Sequence, residues 1–266
     1  MKPSPVQCLL PKAPNTTNYH GKVVIFTAFY DYKGYAPYIT SMIQQAIWLE
    51  RLGIEWDYWH IYGDFHFDRA LNQAMTNFME SDFTDIILID SDLKWSADAV
   101  LRLLTHDVDV VAGSYRMKNQ WEQYTGIPAR DEATGQVRGK ILKDGTALVK
   151  ADRVTGGFTR FRKSALQKFA DAHPELHYAD GQGQSVGFWH SAIADGLFHS
   201  HDYIQSKRWL EIGVDLWIDP NMDLTHYGTL GYPGNLDKFL RDDGKTAAAF
   251  ETIKQMAAEV AQRPAA

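Results

Sequence analysis

Cysteine is almost absent from this chain. Cys8 is the only one in 266 residues, so no internal disulfide can brace the fold and a reducing compartment is expected. Long apolar runs are missing as well: none reaches the ~18 residues that suggest a membrane-crossing helix, and the N-terminus lacks the positive-then-apolar layout of a secretory signal. These absences point to a cytoplasmic protein with no membrane span. No large excess of one charge is present either. With 27 Lys and Arg against 33 Asp and Glu, the net charge is −6 and the pI near 5.9, which argues against a surface built broadly for nucleic acid or anionic membrane. There is no internal repeat and no clear linker. What is present is 45% hydrophobic and 13% aromatic residues, ample for the core of an ordered globular protein.

The stretch Asp85 to Met117 (DIILIDSDLKWSADAVLRLLTHDVDVVAGSYRM) organises the rest. Asp85 to Ile89 is a short apolar run bounded by charge, which reads as a strand buried on both faces of a parallel sheet. It ends in Asp90-Ser91-Asp92. Two carboxylates one residue apart are costly to bury uncompensated, so they are expected where the strand leaves the core and a cation can offset them. A hard divalent cation held by one or two carboxylates, with substrate phosphates completing its shell, meets that demand. Ser96 is placed to cap a helix carrying Ala97, Val100, Leu101 and Leu104, and Val108 to Ala112 reads as a second buried strand. This is one βαβ unit, with its acids at the carboxyl edge where open α/β sheets bind ligands.

Upstream, residues 1–20 read as an extended arm and Lys22 to Phe29 as a strand. A helix opening at Pro37 carries the apolar stripe Ile39, Met42, Ile43, Ala46 and Ile47, ends at Gly53, and leads to a strand over 54–62. Residues 66–80 form a helix with Phe67, Ala70, Leu71, Ala74, Met75 and Phe78 inward. Its other stripe holds Arg69, Asn72 and Gln73, either a solvated face or, beside a helix N-terminus, a phosphate-binding one. Downstream, 119–150 reads as antiparallel excursions, 154–162 as a strand carrying Gly156-Gly157, and 163–172 as a helix. The segment 173–200 has no clear period, 202–210 is a short helix, 214–218 a strand, 222–233 a loop containing His226, and 245–261 an amphipathic helix.

Two other readings compete on the residues alone. His226, following a strand, is either a structural histidine or a nitrogen ligand that suits manganese better than magnesium. The cluster His199-Ser200-His201-Asp202, with His190 and His226, could hold zinc or iron for a metal-assisted hydrolysis, while Asp202 could equally be a helix N-cap.

Three segments in order carry a family resemblance over about 200 residues: RALNQAMTNFMESDFTDIILIDSD, VTGGFTRFRKSALQKF and HDYIQSKRWLEIGVDLWIDPNMDLTHYG. They resemble glycosyltransferases of the GT-A fold, in the family 2-like group that uses nucleotide-activated sugars. The resemblance implies an α/β fold, Rossmann-like, with a mixed, mainly parallel sheet flanked by helices. It also implies an arm over 1–20, a domain over 21–243 with donor half 21–117 and acceptor half 118–243, and a C-terminal helix over 244–266. Carried over residue by residue, Asp90-Ser91-Asp92 is the D-x-D that binds ribose and metal, with Asp92 the direct ligand, and His226 is the late metal or diphosphate ligand. Thr27 and Asp64 end the strands that hold the nucleobase, and Arg69 and Asn72 match an Arg-x-x-Asn helix face. Asp202 matches the acid assigned as catalytic base, with His201 standing where the family commonly has Glu.

The expected activity is Mn2+- or Mg2+-dependent transfer of a sugar from a nucleoside diphosphate sugar donor to an acceptor hydroxyl, with inversion. The acceptor is a glycan, a protein, a small molecule or a modified DNA base, with contacts expected from Trp189 and His201. A nucleotidyltransferase of the same fold, the His/Asp hydrolase and an inactive sugar-nucleotide binding module are the alternatives.

Overall fold

A computed structural model describes residues 19–142, 145–181, 183–194 and 196–241. The helix expected over 245–261 and nearly all of the N-terminal arm lie outside them. The chain opens with β1 (Lys22–Phe29), α1 (Ala36–Arg51), β2 (Glu55–Tyr62), α2 (Phe67–Glu80) and β3 (Asp85–Ile89). Next come a short strand β4 (Leu93–Trp95), α3 (Ala99–Thr105) and β5 (Val110–Gly113). The antiparallel excursions are β6 (Ile127–Pro128), β7 (Gly139–Ile141) and β8 (Ala147–Arg153), followed by β9 (Phe158–Arg162) and α4 (Lys163–Ala172). Two hairpins then form, β10 (His177–Asp180) with β11 (Gly183–Val186) and β12 (Ala192–Ala194) with β13 (Leu197–His199). The described chain ends with α5 (His201–Glu211), β14 (Leu216–Asp219), β15 (Leu224–Tyr227), β16 (Gly231–Gly234) and α6 (Leu236–Arg241).

The main sheet has the order β2-β1-β3-β9-β5-β14-β8-β6, with β7 also on β8. Pairing directions make β8 and β9 the strands that run against the rest, so the sheet is mixed and mainly parallel, as expected. Strands β3 and β5 run in the same direction but do not touch. Strand β9 lies between them, antiparallel to both, pairing Ile89 with Phe158 on one side and Val110 with Phe161 on the other. Every side chain of β3 is buried, as its unbroken apolar run requires.

Several local expectations change. The apolar stripe of α1 does not face the sheet: Tyr38, Ser41, Gln45 and Leu49 are buried, while Ile43 is 57% exposed and Ile39 and Ile47 also face outward. Polar anchors set this rotation. The Ser41 hydroxyl donates to the Trp95 carbonyl at 3.0 Å and accepts from its N–H at 3.2 Å, and the Tyr38 hydroxyl meets Thr27 Oγ1 at 2.6 Å. Ser96 is not the N-cap of α3, because a turn at Ala97-Asp98 follows it and the helix starts after Asp98. Gly156-Gly157 lies in the turn before β9 rather than within it, and His226 stands on strand β15 rather than in a loop. The aperiodic segment 173–200 contains a 3-10 turn and the two hairpins, too short for a period to register in the sequence.

Two buried ion pairs tie the layers together. Arg160 Nη1 donates to Asp85 Oδ1 at 2.8 Å, while its Nη2 reaches the carbonyls of His106 and Val108, so β9 is fixed to the start of β3 and the end of α3. Asp219, fully buried, receives both the Arg102 guanidinium at 2.7 Å and His106 Nε2 at 2.8 Å, which clasps α3 to β14. Burial alone would raise the Asp219 carboxyl, but His106 and Arg102 outweigh it and hold it below the ordinary carboxylate range. A depressed folded pKa means that ionised Asp219 stabilises the fold above that range, and that the contribution is lost as pH falls through the folded value. Asp219→Asn is therefore expected to cost about 3 kcal/mol at pH 7, since it strands a buried cation, and much less near pH 3. Urea unfolding at the two pH values checks this; an equal cost at both would disprove the assignment.

Candidate active site at the carboxyl edge of the sheet

Asp90 follows the last residue of β3, and its backbone N–H donates to the Gly157 carbonyl at 2.8 Å. The approach leaves no room for a side chain at 157. A Cβ there would lie 1.9 Å from the Tyr115 hydroxyl and 2.3 Å from Asp90 Oδ2, so glycine is obligatory. Tyr115, beyond β5, donates its hydroxyl to Asp90 Oδ2 at 3.0 Å. Across the same glycine pair, the Gly156 N–H donates to Asp202 Oδ1 at 3.2 Å. Asp202 lies in the first turn of α5, and Ser200 rather than Asp202 precedes the helix, so the N-cap reading does not describe it.

Asp92 stands at the centre of a second contact set. The backbone of β4 pairs with β15, and this register brings His226 opposite Leu93. His226 Nε2 then lies 3.4 Å from Asp92 Oδ1, Lys118 donates its ammonium to Asp92 Oδ2, and Tyr115 packs edge-on against the imidazole at 4.9 Å. His226 Nδ1 is 3.0 Å from the Arg116 carbonyl, which can only accept, so Nδ1 carries a proton and Nε2 is the nitrogen turned toward Asp92. Asp92 Oδ1 is buried without a hydrogen-bond partner. A carboxylate oxygen and an imidazole nitrogen facing each other at this distance need a cation or a proton between them.

The electrostatics separate the three acids. Burial, then the neighbouring charge of Asp92, pushes Asp90 up to about 6 even though the Tyr115 hydroxyl bond opposes the rise. Burial also raises Asp202, against the opposing pull of His201, the Gly156 N–H and Arg153. Burial would raise Asp92 too, but His226 and Lys118 prevail and keep it below the usual range.

A cleft of about 610 Å3 runs between edge strand β2 and α2, lined at one end by Tyr62, Gly63, Asp64, Arg69 and Gln73. Arg69 forks onto Asp64, with Nε to Oδ2 at 2.9 Å and Nη2 to Oδ1 at 2.8 Å. Strand β1 separates β2 from β3, so this cleft opens about 10 Å from Asp90, two strand spacings along the same edge.

No family model and no curated protein matches the sequence. Among solved structures, the chain is similar to the crystal structure of GalNAc-T7 with UDP, GalNAc and Mn2+, with 9% identity and a TM-score of 0.47. That likeness covers 79% of this chain and 44% of the other, so this chain spans less than half the length of the protein it matches. At this level it carries no information about what the present chain binds.

The structure brings Asp90, Asp92, His226 and Asp202 to one edge, with Asp64 and Arg69 at the neighbouring cleft. Three other candidates sit elsewhere. Thr27 is buried under the Tyr38 and Tyr58 hydroxyls. Asn72 is buried with both amide atoms on the backbone of Trp189, at 2.8 and 2.7 Å, because it serves to anchor that loop. Trp189 itself is wholly buried, its indole N–H on the Met75 sulfur at 3.0 Å, so it has no face open to an acceptor and instead walls the site from below. The His199–Asp202 run does not close on a metal: His199 stacks on Tyr203 at 4.3 Å while His201 turns to Asp68. Among the described residues no group of three or more His, Cys, Asp or Glu side chains is set for a metal ion. Tyr115, Lys118 and Asp68 carry no sequence motif; the one available signal for the first two is that they follow a buried strand at its carboxyl end.

Because Asp90 is raised in the folded state, stability falls as pH climbs from the ordinary carboxylate range through about 6 and is flat above it. In excess chelator, Asp90→Asn is therefore expected to stabilise the protein by about 1–2 kcal/mol at pH 7.5 and hardly at all at pH 4. Unfolding midpoints in urea test this, and a destabilised variant at pH 7.5 would show that the charge is compensated.

Proposed function

We propose that this protein transfers a sugar from a nucleoside diphosphate sugar to an acceptor hydroxyl, aided by Mn2+ or Mg2+. The observation that carries the reading is the buried, unpartnered Asp92 Oδ1 facing His226 Nε2 beside the raised Asp90 carboxyl. One carboxylate and one imidazole are too few for a structural metal site, but they fit a cation whose remaining ligands come from substrate phosphates and water. Asp92 and His226 would hold that ion, with Asp90 beside them. Once bound, it would supply positive charge at the departing diphosphate.

The chain's own residues account for the rest. The cleft at Asp64 and Arg69 suits the nucleoside end of a donor, whose diphosphate would then extend along the edge toward Asp92. Lys118, already paired with Asp92, is the nearest fixed cation for a phosphate oxygen. Asp202, held by the Gly156 N–H on the far side of the glycine pair, is placed to accept the acceptor's proton, and a carboxylate raised by burial is a better base than an exposed one.

Incubation with a panel of nucleotide sugars and Mn2+ tests the reading: release of free nucleoside diphosphate is expected, whereas pyrophosphate release would identify a nucleotidyltransferase. Asp92→Asn and excess chelator should each abolish turnover with the fold retained by circular dichroism, and full activity in chelator would remove the metal from the reaction. Asp202→Asn should lower turnover by about 10²- to 10⁴-fold with donor affinity nearly unchanged. A near-normal rate would take Asp202 out of the chemistry.

A further inference from the structure

Helix α5 opens on His201-Asp202, and the His201 side chain turns to another helix. Its Nδ1 lies 2.8 Å from Asp68 Oδ1 in the first turn of α2. A carboxylate can only accept, so Nδ1 carries the proton, which leaves Nε2 as the nitrogen free to take one. That nitrogen lies 3.7 Å from Asp202 Oδ1. The ring is held from two sides, by Trp189 at 5.9 Å and Phe67 at 5.7 Å. Asp202 also receives the Gly156 N–H, and the side chains of Asp202, His201 and Asp68 are 24%, 26% and 32% exposed, so the three are linked in sequence, each partly open to solvent.

We propose that Asp68, His201 and Asp202 form a proton relay, in which His201 takes from Asp202 the proton of the acceptor hydroxyl and Asp68 fixes the imidazole in the tautomer able to do so. This rests on the sugar-transfer reading above. In that reaction the acceptor oxygen bonds to the anomeric carbon while the bond from that carbon to the diphosphate oxygen breaks, its electron pair leaving with the diphosphate. The hydroxyl proton passes to Asp202 and from there to His201 Nε2. The imidazolium so formed is balanced by Asp68, and it releases the Nε2 proton to water once product has left, restoring the neutral ring and the ionised Asp202.

The surroundings explain why a relay is needed. Burial raises both Asp202 and Asp90, and the Asp202 charge adds to the rise at Asp90, so His201 beside Asp202 gives its proton a second site to pass to. The charged groups facing His201 are Asp68 from α2, Asp202 from its own helix and Asp90 from the end of β3, with His190 acting in turn on Asp68. Burial pushes the His201 pKa down, but the three carboxylates outweigh it and leave it above the ordinary histidine value. Burial would raise Asp68, but His201 and a backbone N–H of Ser191 outweigh it and hold it below the usual carboxylate range, so it stays ionised throughout.

His201 thus acts through Asp202, as a positioning and relay residue. Ring-nitrogen NMR of the full chain in chelator, with no donor, tests the dyad by itself. The expected result is the Nδ1-protonated tautomer, with a pKa that drops by about one unit in Asp68→Asn. The opposite tautomer, or a pKa that Asp68→Asn leaves in place, overturns the proposal. Turnover tests the relay: with whichever nucleotide sugar the wild-type protein cleaves, nucleoside diphosphate release by His201→Gln should fall about 10²-fold at unchanged donor KM. In Asp68→Asn the acid limb of the kcat/KM profile should move to lower pH, because the imidazole then stays neutral to lower pH. Wild-type rates and an unmoved acid limb in these variants overturn the relay alone. Absence of turnover by the wild-type protein with every donor overturns the sugar-transfer reading and the relay together, and the NMR result separates the two failures.

Discussion

Asp90 and Gly157 are joined through their backbones at 2.8 Å, and the Tyr115 hydroxyl and Asp90 carboxylate close over the glycine so that a Cβ there would displace them. The contact exists because an antiparallel strand is inserted between β3 and β5, turning a simple βαβ unit into a mixed sheet. The insertion delivers Gly156-Gly157 to the carboxyl edge, where Gly157 buttresses Asp90 and Gly156 offers its N–H to Asp202. Two acids 112 positions apart in the numbering, Asp90 and Asp202, thereby lie on opposite sides of one short turn. A bulkier residue at 157 would separate the Tyr115 hydroxyl from Asp90 and open the site.

Charge at this edge is balanced locally rather than by burial of ion pairs. Asp92 has Lys118 and His226, Asp202 has His201 and a backbone N–H, and Asp90 has only a neutral tyrosine hydroxyl. Asp90 is the one of the three driven up to about 6, which fits its lack of a cationic contact. Such an arrangement is costly to the fold and persists where a ligand or ion is needed to complete it. The two structural ion pairs behave differently. Asp85 and Asp219 are nearly or fully buried, yet each is met by a guanidinium, and they fasten β9 and α3 so that the edge bearing the site is held by a rigid sheet.

Burial also redefines which aromatic and polar residues serve the site. Trp189 and Asn72 lock together beneath it, and their role is to hold the chain that leads to the β12 and β13 hairpin and on to α5. This explains how an irregular stretch of sequence can present His201 and Asp202 in a defined orientation.

The sequence by itself determined the elements whose side-chain pattern repeats: β1, β3, α2 and α4 lie where their apolar runs and helical spacings placed them, and the acids of Asp90-Ser91-Asp92 fall at the strand end, where charge must leave the core. It also marked β3 and β5 as strands of a largely parallel sheet, since short continuous apolar runs either side of a helix are buried on both faces that way. Only the tertiary structure decided the rest. The isoleucines of α1 face outward because hydrogen bonds from Tyr38 and Ser41, not hydrophobicity, set which face meets the sheet. The insertion of β9, the pairing of β4 with β15 that carries His226 to Asp92, and the meeting of Asp68 with His201 join residues 47 to 134 positions apart. Contacts of that kind leave no periodic trace in a sequence, because they depend on which strands become neighbours and not on the residues beside them in the chain.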